Sequence, residues 1–129
     1  MVLERASSTL GATHQTALAC ASNLAVILAR RGERAAARER SAWVAKQLHE
    51  RLGEAHPFAV AADVNLADDL AAAGEHGRAL ELGEGAYARA RSILGEGHPY
   101  AVVAGANLAA SRRRVRGRRQ RIELDPPMP

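Results

Sequence analysis

Apolar residues at Val60, Val64, Leu66 or Ala67, and Leu70 recur every three to four positions, the spacing of a helix with one apolar stripe. The stripe opens at Pro57 and fades at Ala73, which predicts a helix over residues 57–73. A second stripe, Ala79, Leu82, Ala86, Tyr87, Ala90 and Ile93, predicts a partner helix from Glu75 to Leu94. Gly74 stands between them as a C-terminal cap, and Glu75 brings a favourable negative charge to the next helix start. The same reading predicts helices over residues 13–31, 33–52 and 99–116.

These elements repeat. Leu10-Gly-Ala-Thr-His, Leu52-Gly-Glu-Ala-His-Pro and Leu94-Gly-Glu-Gly-His-Pro are each 42 residues apart. One offset also relates Asn23-Leu24-Ala25, Asn65-Leu66-Ala67 and Asn107-Leu108-Ala109, and carries Gly32-Glu33 onto Gly74-Glu75 and Ala37 onto Ala79. Self-similarity at this period is the signature of stacked supersecondary units that bury their apolar faces against one another. In Gly-x-x-His-Pro, glycine ends one helix and proline suits the first turn of the next.

The run Asn65-Leu66-Ala67-x-x-Leu70-x-x-x-Gly74-Glu75-x-x-x-Ala79, followed by Leu82 and Ala86, resembles the tetratricopeptide repeat. The 42-residue period and the Leu-Gly-x-x-His-Pro linker resemble its kinesin-light-chain-like form, known also from bacterial, actinobacterial-like regulators. The resemblance implies an all-α fold of antiparallel helix-turn-helix units stacked as a right-handed solenoid of about five helices. The array spans residues 1–116: a partial helix at 1–9, repeats at 10–51 and 52–93, and a half repeat at 94–116. Residues 117–129 form an Arg/Pro-rich tail expected to be disordered. Two whole units between two halves imply either a fragment of a longer protein or a small protein that completes its stack with another subunit. The family usually carries a bulky residue where Ser41 and Gly83 stand. With Gly85 nearby, the second outer helix is expected to be frayed or unusually close to its neighbour.

Composition agrees with thin helical layers. Alanine contributes 29 residues while aromatics make up only 3%, so helices pack closely through small side chains. Cys20 is the single cysteine, which excludes an internal disulfide and favours a reducing, cytoplasmic setting. The apolar run from Ala17 to Ala29 is too short to span a bilayer. Of 18 basic residues, seven lie between Arg112 and Arg121, so the net charge of +4 belongs to the tail.

No phosphate loop, nucleophile–base pair or metal-ligand spacing stands out, so neither catalysis nor a cofactor is expected. His14, His56 and His98 sit at successive inter-repeat turns, where helix-start hydrogen bonding is the expected role. His49-Glu50 lacks a second histidine four residues on, because Gly53 stands there. Cys20 reads as a small buried thiol, and Asp63, Asp68 and Asp69 read as a solvated face.

Binding is the expected function. By resemblance, the first helix of each unit lines a concave groove, and Asn23, Asn65 and Asn107 occupy a position that grips peptide backbones. An amide offers both donor and acceptor to an extended chain; bonding between neighbouring helices is the alternative. Val26, Asp68 and Arg30 are further groove positions, and they vary between units, so no one ligand is specified. The expected partner is a protein or peptide, with self-association through the incomplete ends as a further option. A sensor segment of a larger NTPase-type signalling protein is an alternative reading. The run Arg112, Arg113, Arg114, Arg116, Arg118, Arg119 and Arg121 invites a third, contact with nucleic acid or an acidic partner. It lacks interleaved aromatics for stacking bases, so a polar end-cap, folded against Glu123 and Asp125, is the preferred reading.

Overall fold

The computed structural model describes residues 11–113 and 122–124, with side chains from residue 15. Within them the chain forms five helices and no strand: α1 (Gly11–Arg30), α2 (Arg34–Leu52), α3 (Pro57–Ala72), α4 (His76–Leu94) and α5 (Pro99–Arg113). Each helix packs on the next in sequence, while α3 also touches α1 and α5. The odd-numbered helices therefore form one layer and α2 and α4 the other. This is a helical repeat solenoid.

The expected boundaries hold or shift by up to two residues, because caps rather than periodicity set them; the expected end at 116 lies outside the described residues. Glu75 is the N-cap of α4, not its first residue, and its carboxylate pairs with Arg38 at 2.6 Å and Arg78 at 3.0 Å. Gly74 has φ +85°, a conformation that a β-carbon strains, so the chain can turn there after α3. The amide of Glu75 then returns to the carbonyl of Leu70 at 2.9 Å, and Glu33 to Leu28 repeats the device.

The expected core of α3 is buried at Val60, Val64 and Leu70. In α4, Ala79, Ala86 and Ala90 are buried, but Ile93 is 42% exposed. Val102 on α5 is 56% exposed, although its counterpart Val60 on α3 is fully covered. α4 runs unbroken through Gly83 and Gly85, and at neither glycine is its approach to a neighbouring helix unusually close. A β-carbon on Gly83 would meet Leu108 Cδ1 at 3.5 Å and Ala67 Cβ at 3.9 Å.

Two sequence expectations are corrected by burial. Cys20 is exposed, not buried. Asp63 and Asp69 do not lie on a solvated face, being 3% and 4% exposed. Both turn toward the even-numbered layer, where polar groups meet them: His49 and Arg89 at Asp63, Ser41 at Asp69. The partial helix at residues 1–9 lies outside the described residues.

Candidate peptide-binding groove

Asn23, Asn65 and Asn107 stand at equivalent positions of α1, α3 and α5, so the stacking of units brings them onto one layer. Among the described residues, Asn65 and Asn23 grip the chain's own C-terminal segment. Asn65 donates from Nδ2 to the carbonyl of Ile122 at 2.7 Å, and its Oδ1 accepts the Ile122 N–H at 2.9 Å. Asn23 does the same with Leu124, both bonds at 2.9 Å.

The pattern has a simple geometric cause. In an extended chain the N–H and C=O of one residue point to the same side, and those of its neighbours to the other. Amides facing residues 122 and 124 therefore hold one edge of an extended strand, two residues per repeat. The strand runs from Asn65 toward Asn23, opposite to the order of the repeats. Its side chains alternate accordingly. Ile122 and Leu124 are 4% and 1% exposed, in one apolar cluster with Leu18, Val44, Leu48 and Val64. Glu123 is exposed and pairs with Arg30 at 3.0 Å.

This corrects the expectation of a disordered tail at residues 122–124. Their apolar side chains find burial and their backbone polar groups find partners, which offsets the entropy of ordering them. Glu123 pairs with Arg30; Asp125 and most of the arginine run lie outside the described residues. The alternation Ile122-Glu123-Leu124 was the available signal, a period-two pattern hidden between arginines and prolines.

The other expected groove residues are placed as follows. Arg30 contacts the segment through Glu123, and Val26 is buried. Asp68 and Asn107 line a small open pocket between α3, α4 and α5, with Val64, Ala79, Gly83 and Ala104 around them. Arg112 and Arg113 are exposed at the end of α5; Arg114, Arg116, Arg118, Arg119 and Arg121 lie outside the described residues.

His56 and His98 cap helix starts, while the side chain of His14 lies outside the described residues. Nδ1 of His56 accepts the Phe58 N–H, and Nδ1 of His98 accepts the Tyr100 N–H, each at 3.0 Å. Proline at the first helical position leaves that second amide as the donor in need of a partner. Burial lowers the His56 pKa below its ordinary value by penalising the charged ring.

Behind the groove, Asp63 accepts from His49 Nε2 at 2.8 Å and Arg89 at 2.5 Å, and Arg89 also reaches the carbonyl of Glu54 at 3.2 Å. Sequence reasoning missed this cluster. The 42-residue offset replaces Asp63 by Gly105 and His49 by Arg91. At that second interface Tyr87 packs instead on Gly105, with the Arg91 guanidinium 5.3 Å from the ring centre. One interface is thus joined by charge and the other by an aromatic ring.

Among the described residues no three side chains of metal-binding type converge, and no helix is long and apolar enough to cross a membrane. The model of the tetratricopeptide repeat family matches residues 17–40 and 64–100, which supports assigning these helical hairpins to that repeat. Searches of curated proteins and of solved structures gave no match. Tetratricopeptide repeats generally mediate protein–protein interaction and typically serve as non-enzymatic scaffolds.

Proposed function

We propose that this chain is an interaction module whose groove holds an extended peptide of a partner protein by its backbone, with Asn23, Asn65 and Asn107 as successive rungs. The observation that carries this reading is the pair of hydrogen bonds from Asn65 to both backbone groups of Ile122, repeated by Asn23 on Leu124. A carboxamide satisfying a donor and an acceptor of one residue is suited to any sequence in extended form. We read the units as the longer, 42-residue form of the repeat, on the spacing of their Leu-Gly-x-x-His turns.

The reading makes a demand on the ligand backbone that a scan of N-methylated peptides tests. A peptide copying residues 119–127 is titrated against the intact protein at high concentration, with single amides methylated in turn. Methylation at the positions of Ile122 and Leu124 is expected to abolish binding, and methylation at Glu123 to leave it. Equal tolerance at all three positions would contradict backbone recognition by the asparagines.

A further inference from the structure

Resting on that reading, the geometry points to a narrower ligand and to its built-in competitor: the groove takes an extended aliphatic–acidic–aliphatic segment, and Ile122-Glu123-Leu124 is the cis occupant that a partner's segment must displace.

Three observations fix the ligand class. The asparagine bonds are blind to side chains, so selectivity must come from what the two buried side chains meet. Ile122 and Leu124 belong to the principal apolar cluster, whose many small members, Ala19, Ala21, Ala61 and Ala62 among them, suit branched aliphatic groups. A polar or charged group there would be buried without a partner. The middle residue faces Arg30, whose side chain and that of Glu123 are both more than half exposed. That contact selects an acid over a base at the centre without dominating affinity.

The competitor follows from connectivity. Only eight residues separate Arg113, at the end of α5, from Ile122. A segment tethered this closely acts at an effective concentration of roughly millimolar, so a free ligand of equal intrinsic affinity binds far more weakly than the groove itself allows. The fold thereby contains a threshold: partners weaker than the tail are excluded, and partners presenting a better-matched segment enter as the tail leaves.

The test uses a fluorescent peptide copying residues 117–129, the intact protein, and the variant Ile122→Ser/Leu124→Ser in which the tail loses its hold. The variant is expected to bind the peptide roughly tenfold or more tighter than the intact protein. A peptide with serine at both aliphatic positions is expected to lose binding, and one with Glu123→Lys to weaken by a few fold. If a folded variant gains no affinity, the cis occupant is overturned. If it gains affinity but accepts the serine peptide equally, the ligand class is overturned while backbone recognition stands. If adding Asn65→Ala to the variant changes nothing, the groove reading itself falls. Should the double-serine variant fail to fold, the intact protein is titrated with excess unlabelled peptide and the tail amides are followed by NMR. Loss of the native Ile122 and Leu124 signals supports displacement, and their persistence at saturation overturns it.

Discussion

The carboxamide of Asn65, 2% exposed on α3, satisfies both backbone groups of Ile122 across 57 residues of sequence. Ile122 itself is only 4% exposed. Asn65→Ala is therefore expected to lower stability by about 1–3 kcal/mol, the cost of leaving buried polar groups unpaired. Asn65→Asp keeps the acceptor for the Ile122 N–H but sets an oxygen against its carbonyl, and is expected to be no better. Urea unfolding of the three proteins, with unchanged m-values, checks this.

Asp63 is buried between His49 and Arg89 and joins α3 to both even-numbered helices. Asp63→Ala would strand Arg89, and is expected to cost about 3 kcal/mol, the lower end for a broken buried pair because the partners are a quarter exposed. Replacing all three residues together should cost less than the sum of the single changes. A thermal denaturation cycle measures both.

Two glycines make opposite demands. Around Gly85 a β-carbon would meet open space, so Gly85→Ala is expected to stabilise α4 by about 0.5–1 kcal/mol. At Gly105 the same β-carbon would lie 3.0 Å from Tyr87 Cε1, so the ring must shift. Gly105→Ala is expected to gain clearly less than Gly85→Ala, or to lose stability; an equal gain in chemical denaturation would refute the close packing of Tyr87.

The lowered pKa of His56 links stability to pH. Between the folded value and the ordinary value of about 6.5, the unfolded chain binds the proton that the folded one refuses. This contribution is present above that ordinary value, declines as pH falls below it, and is gone beneath the folded value. Protonation also removes the acceptor that caps Phe58. His56→Asn, which keeps a cap acceptor but does not titrate, is expected to flatten the stability profile between pH 7 and pH 5. An unchanged slope in the variant would contradict it.

How much of this was legible beforehand depends on where the information lies. The helices were readable because caps and apolar spacing are local: Gly74, Pro57 and the stripe from Val60 to Leu70 need no knowledge of neighbours. Asp63, Asp69 and Cys20 were misread because a helical wheel shows which residues share a face but not what packs against it. α2 and α4 supply polar groups to one carboxylated face, while Cys20 lies on the side of α1 that also leaves Leu24 and Ile27 exposed. The asparagines were picked out by their recurrence. Their partners were not, since three residues between arginines and prolines carry too weak a pattern to predict order, and only the assembled groove makes burying them favourable.

The claim that the groove holds an extended backbone is tested most directly by amide hydrogen exchange along the tail of the intact protein. The account predicts a period of two: Ile122 and Leu124 protected, Glu123 between them exchanging faster, with Asn65→Ala releasing Ile122 and Asn23→Ala releasing Leu124. Exchange of all three amides at the rate of an unstructured peptide, indifferent to either substitution, would contradict it.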